Sequence, residues 1–291
     1  MLWRIEGDNE SIFAKRDLRQ RNGLKNARIE GLNSLIDGIA FGILTGVSVG
    51  FSAGYLGSLI VIKKMALVGD ALSHVALPGL AIGILFGFNP FLGAFAFLFA
   101  SAVAISHIEK VTRLSPETIV GALFTLALAI GILIMPEPEL LEALFGDIAS
   151  VGLLDTMFAV LFSAFAVILT RTIYKKIVLS LISEELAIST GINVSRVNLL
   201  YLLLVSLNVA IGIKVLGTLL VGFMLVVPAA TAKNIANDMS KYSIFSSIFG
   251  AISAAFGIML SSYMALPSGP SIVLSGIALF LVTVLFRWRK P

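Results

Sequence analysis

The chain alternates long apolar runs with short polar joints. Runs long enough to cross a bilayer as a helix, about 20 residues, lie near 35–62, 65–87, 90–107, 117–135, 151–170, 197–213, 215–232, 243–264 and 269–286. None shows the every-second-residue alternation of a half-buried strand. In lipid, only helices and closed barrels satisfy their own backbone. The pattern therefore predicts an all-α, polytopic transmembrane helical bundle of about nine membrane segments. Eight remain possible, because 35–62 is long and 197–232 is interrupted only by Lys214. Residues 1–31 are polar and lack the apolar core of a signal peptide. They are expected to form a surface tail ahead of a single transmembrane domain, 32–291.

Composition sharpens this picture. Hydrophobic residues make up 58% of the 291 and charged residues 13%, with a mean hydropathy of +1.00. A soluble domain of this length has no interior for so much apolar surface, whereas a bilayer accepts it as solvent. Membrane lipid is thus an expected partner. No long basic run enters the hydrophobic body, so nothing points to nucleic acid. Cysteine is absent, which excludes disulfides, thiolate metal sites and thiol redox chemistry, and disfavours Cu(I) as a ligand.

The charges also set an orientation. Lys63, Lys64, Lys110, Arg113, Arg171, Lys175, Lys176, Arg196, Lys233, Lys241, Arg287, Arg289 and Lys290 share one side if all nine runs cross. The other side carries Glu137, Glu139, Glu142 and Asp147, with Lys214 as its one cation. By the positive-inside rule the first side is cytoplasmic, which puts the C-terminus inside and the N-terminus outside. The seven Lys/Arg of residues 1–31 argue against that placement. A tail on the inside would require an early run to be re-entrant or interfacial.

Within the runs, ionisable groups are scarce. Asp37 and Asp155 sit near segment ends. Glu117, in Ser115-Pro116-Glu117-Thr118, reads as part of a helix start, with Ser as cap and Glu favoured by the dipole. Asp70 and His74 are different. They lie four residues apart in Val68-Gly69-Asp70-Ala71-Leu72-Ser73-His74 and so project from one helix face. A helix starting near residue 65 puts His74 ~14 Å into the membrane. An isolated carboxylate in that region costs at least ~2.5–3.5 kcal/mol. Carboxylate plus imidazole on one face is a ligand pair suited to Zn²⁺, Mn²⁺ or Fe²⁺. Equally, the two could bond each other or a neighbouring helix and only hold the bundle together. Gly69, Gly79 and Gly83 allow close backbone approach, and Pro78 would free the carbonyl of His74 as a further contact. Gly42, Gly46, Gly50, Gly54 and Gly57 read as a packing stripe, Asn208 as part of the path lining or equally as a helix–helix hydrogen bond, and His107 as a surface residue.

The stretch from Lys63 to Gly79, with Gly69-Asp70-Ala71-Leu72-Ser73-His74 at its centre, resembles the signature of permease subunits of zinc/manganese/iron-type ABC importers. Ser115-Pro116-Glu117-Thr118, Leu144-Phe145-Gly146-Asp147, Val215-Leu216-Gly217-Thr218-Leu219-Leu220 and Val227-Pro228-Ala229-Ala230-Thr231-Ala232 match as well. The resemblance covers nearly the whole chain after residue 31. It implies a multi-pass protein of a prokaryotic cytoplasmic membrane, with Asp70 and His74 on the path of a transported zinc, manganese or iron ion and no permanently bound cofactor. It also implies three partners: a second copy of the permease, cytoplasmic ATPase subunits that use ATP, and an extracytoplasmic metal-binding protein. The chain is then a transport subunit and not an enzyme, which agrees with its lack of a G-x-x-x-x-G-K-[ST] phosphate loop.

The segment 174–197 is the cytoplasmic connection long enough to dock an ATPase. In it, Ser183-Glu184-Glu185-Leu186-Ala187 reads as a helix start and Gly191 as its stop. It resembles the family's coupling helix, which makes Ser183, Glu184, Glu185, Leu186 and Gly191 the candidate coupling residues. Leu181, Ile182, Leu186 and Ile188 would form its apolar ridge. Many relatives have Asp where Ser183 stands, and Ser caps a helix too. The alternatives are a permease for a chelated metal or vitamin, a secondary transporter, and, remotely, an intramembrane aspartyl protease using Asp70 and Asp147.

Overall fold

The computed structural model describes residues 38–135, 137–146, 151–264 and 266–288, and of Glu137, Glu142, Val215 and Trp288 only the backbone. The polar tail 1–31, Asp37 and Asp147 lie outside the described residues. All regular structure among the described residues is helical: α1 (Gly38–Ile62), α2 (Ala66–Val75), α3 (Leu77–Leu85), α4 (Pro90–Thr112), α5 (Pro116–Ile134), α6 (Glu137–Phe145), α7 (Leu153–Ile182), α8 (Glu184–Ser189), α9 (Val194–Leu216), α10 (Thr218–Lys233), α11 (Met239–Met264) and α12 (Ser268–Trp288).

Helix boundaries fall where the side chains can cap them. Asn89 Oδ1 accepts from Phe91 N–H at 3.0 Å ahead of Pro90. Ser115 Oγ accepts from Thr118 N–H at 3.3 Å ahead of Pro116, and Asn193 Oδ1 from Arg196 N–H at 3.0 Å. Each cap satisfies a donor that the first turn leaves open. Glu117 sits in the first turn of α5, where the helix dipole favours a carboxylate, while Ser115 supplies the cap.

Eight helices, with α2 and α3 joined as one broken span, are long and apolar enough to cross a membrane. The 16-residue α10 reaches ~24 Å, enough for a short ninth crossing inside the bundle. Counted in order, these nine among the described residues place Lys63, Lys110, Lys176, Lys233 and Arg287 at one level and α6 at the other. α10 is central and packs on α2, α9, α11 and α12. Tight backbone contacts draw the helices together, as expected where lipid gives apolar side chains no reason to leave it. A Cβ on Gly50 of α1 would stand 2.6 Å from the carbonyl oxygen of Gly250 of α11, so the glycine stripe is a packing seam. Gly217 turns α9 into α10 at φ +73° and lies against the end of α6. A side chain there meets both a disfavoured backbone and a wall.

Two elements differ from the sequence pattern. The span 65–87 breaks at Ala76 into α2 and α3, because Pro78 cannot continue the donor ladder. The carbonyl of His74 is nevertheless taken up by an N–H of the turn that follows α2, so it is not the free ligand that Pro78 suggested. The second difference is α7, whose 30 residues run through Tyr174 to Ile182. Much of the predicted connection 174–197 is therefore the end of one membrane helix and the start of the next. Lys175 and Lys176 end the apolar run without ending the helix, since lysine is a good helix former. Tyr174 Oη donates to the Met239 carbonyl at 3.0 Å and accepts from Ser243 Oγ at 3.2 Å, which ties this extension to α11.

Candidate metal path and docking segment

Asp70 and His74 lie on α2 one turn apart, about 6 and 12 Å from its cytoplasmic start. Asp70 is exposed on the protomer surface, whereas His74 is buried. No hydrogen bond joins them. Asp70 sits tight against α10, where a Cβ on Gly222 would come within 2.5 Å of its Oδ1 and 2.6 Å of its Cα. The His74 ring meets Phe124 of α5 edge-on, with centroids 5.4 Å apart. Its Nδ1 is buried and has no hydrogen-bond partner. Buried ring nitrogens are normally satisfied, so this one is left for water, a ligand or a metal. Asp70 and His74 therefore do not hold each other by a direct bond, and each packs against a different neighbouring helix. Sequence reasoning missed Gly222 and Phe124. A glycine inside the helical run of α10 was the available signal for the first, and a lone Phe in an apolar helix gives none for the second.

One protomer does not complete a metal site. Among the described residues, no three His, Cys, Asp or Glu side chains converge. Two donors fall short of the four that Zn²⁺ takes and further short of the larger sets around Mn²⁺.

At the end of the bundle that bears Lys63, α8 forms as its sequence predicts. Ser183 Oγ accepts from Leu186 N–H at 3.1 Å, Glu184 and Glu185 occupy the first turn, and Gly191 turns the chain at φ +81°. Ile182, Leu186 and Ile188 are exposed, and Ala187 anchors the helix beneath them. Leu181, expected on the same ridge, instead packs into the core. Nearby, Lys63 Nζ donates to Asn198 Oδ1 at 2.7 Å and lies 5.3 Å from the Tyr201 ring centroid. Burial pushes the Lys63 ammonium down to about 8, partly offset by Glu109.

Among the described acids expected at the outer mouth, Asp155 is not free. Asp155 Oδ2 accepts from Lys214 Nζ at 2.7 Å and from Gly152 N–H at 3.0 Å, so its charge is compensated. Glu139 and Lys214 line a common cavity of about 180 Å³, and Glu139 Oε2 is buried there without a partner. Gly146, next to Asp147, lies against Gly217 at the outer turn. Asn208 Nδ2 donates to Ser52 Oγ, and His107 is exposed, both as read from sequence.

Known proteins of the same kind share this architecture. The manganese transport system membrane protein MntC of Listeria monocytogenes is 33% identical over 252 residues, covering 85% of this chain and 90% of that protein. The high-affinity zinc uptake system membrane protein ZnuB of Haemophilus influenzae is 29% identical over 254 residues, 85% of this chain and 97% of that one. PsaBC from Streptococcus pneumoniae, solved with a Fab, superposes with a TM-score of 0.75 at 30% identity, over 88% of this chain and 93% of its own. Residues 36–287 match the ABC 3 transport family over most of the chain, and this multi-pass protein of the cytoplasmic membrane belongs to that family.

Proposed function

We propose that the chain is the membrane-spanning subunit of an ATP-driven importer for a bare divalent transition-metal ion, with Asp70 and His74 on the ion's path. The observation that carries this reading is the pair itself: a carboxylate on an uncovered protomer face and, one turn deeper, a buried imidazole whose Nδ1 has no partner. A second copy meeting that face would bring two carboxylates and two imidazoles together. Four such donors suit Zn²⁺, and with added water Mn²⁺ or Fe²⁺. Relatives named for manganese and for zinc support the same class of cargo. A chelated metal or vitamin would need a wide apolar path and would have no use for the pair.

The remaining partners rest on the family match. ATP is hydrolysed in separate cytoplasmic subunits, which dock on α8 and its exposed Leu186 and Ile188. An extracytoplasmic metal-binding protein delivers the ion to the side bearing α6. Vesicles holding the assembled importer test the assignment through uptake of radioactive Mn²⁺ or Zn²⁺. Asp70→Asn and His74→Ala should each abolish uptake while the dimer still assembles, because neither change opens a large cavity. Near-normal uptake by the double variant would sink the metal-path reading.

A further inference from the structure

Away from the Asp70 face, a second concavity of about 420 Å³ opens between α4 and α7 above α9. Both helices pack on α9 or its neighbours, with little contact between them. Phe95, Phe158 and Phe162 line the walls, with Leu207 below, and the Lys214–Asp155 ion pair stands at the outer end. The three rings are 37%, 56% and 36% exposed, and the paired side chains 27% and 35%. The groove is thus open to the surroundings along its length and charged only at its head.

Its depth matches one leaflet. Seven helical residues separate Asp155 from Phe162, and seven separate Lys214 from Leu207, about 10 Å in each case. Half of the hydrocarbon core is ~15 Å. The ion pair therefore stands near the outer interface and the aromatic walls in the acyl region. This is no second metal path, because Lys214 already neutralises the one carboxylate at its mouth and its lining shares no residue with the Asp70 site.

We propose that this groove binds one outer-leaflet aminophospholipid, with an acyl chain between the phenylalanines and a zwitterionic headgroup on the ion pair. The charges select the headgroup. A lipid phosphate complements Lys214, and a primary ammonium complements Asp155 while donating hydrogen bonds to it. An anionic glycerol headgroup brings nothing cationic to Asp155. A quaternary ammonium has no N–H to give. Seated there, the lipid bridges α4 and α7 where the protein itself leaves a gap. The inference depends on the membrane placement of the helices and not on the identity of the transported ion.

The test is native mass spectrometry of the full-length protein released from detergent, after exchange with phosphatidylethanolamine, phosphatidylglycerol or phosphatidylcholine of matched chains. One phosphatidylethanolamine per protomer should survive, in preference to the other two lipids. Lys214→Gln and Asp155→Asn should each lower its retention about tenfold, the equivalent of one charge-assisted hydrogen bond. Phe162→Trp narrows the groove where the acyl chain lies and leaves the pair intact, so it should lower lipid retention without disturbing the fold, read by monodispersity and helical content. Equal retention of all three lipids, or retention indifferent to Phe162→Trp, would mean ordinary annular lipid and overturn the proposal. A photo-crosslinker attached at Phe158→Cys that captures a second copy, or residues 1–37 of its own chain, would overturn it too, since the groove would then have a protein occupant.

Discussion

At the scale of single residues, the site depends on one missing side chain as much as on two present ones. Gly222→Ala puts a Cβ within 2.6 Å of Asp70, so α2 and α10 must separate or Asp70 must turn. Overpacking of this kind costs about 1–3 kcal/mol. We expect a lower unfolding temperature in detergent together with reduced metal uptake. Gly121→Ala, in open space on α5, should leave both unchanged and serves as control. Lys63 makes a separate prediction. Its folded value is about 8 against an ordinary 10.5, so between those limits the unfolded chain holds more protons than the folded one. Stability from this group therefore rises as pH climbs from about 8 to 10.5. Lys63→Met should flatten that rise in thermal unfolding measured across the window; an unaltered slope would count against a buried ammonium. Asp70 and His74 were legible because two polar groups at helical spacing stand out in an apolar run. Gly222 and the unpartnered Nδ1 were not, because both depend on which helix lies opposite.

Among the elements, α8 is the proposed link between transport and ATP. Leu186 is half exposed at 50%, above a fully buried Ala187, so it can be changed without emptying the core. Truncating a central apolar anchor typically costs ~2 kcal/mol or more of binding, and a charge there is worse. Leu186→Asp should reduce co-purification of the ATPase and metal-stimulated hydrolysis, with α8 still formed because Ser183 caps it. A variant that keeps its partner and full stimulated activity would leave α8 a plain connector. The cap, the acidic first turn and the Gly191 stop were all readable as local chemistry. The length of α7 was not. Hydropathy reports where lipid ends, whereas helix continuation depends on propensity and on contacts such as Tyr174 with α11. For the same reason Leu181 was assigned to the exposed ridge, although it packs inward as part of α7.

For the whole molecule, the sequence carried the fold class because it rests on sums over many residues. It carried the outer mouth poorly, because Lys214 neutralises Asp155 only through an approach of α9 to α7. The field there should come from α6, with Glu137, Glu139 and Glu142. Changing these three to Gln should slow uptake several-fold at low ionic strength and hardly at all near 1 M salt, where the Debye length is ~3 Å. A salt dependence like that of the parent protein would remove the acids from ion capture. The long α7 also has a mechanical meaning. Its 30 residues extend ~45 Å against a hydrocarbon core of ~30 Å, leaving an arm of ~15 Å beneath the membrane with α8 at its tip. If the helix tilts as a rod about the inner boundary, the arms stand in a ratio of about two to one, so a nudge of ~1 Å at the tip swings the far end by ~2 Å. Asp155 rides on that far end, and such a swing carries its 2.7 Å contact with Lys214 beyond hydrogen-bond reach. A small stroke from below is thereby geared into an unlatching above.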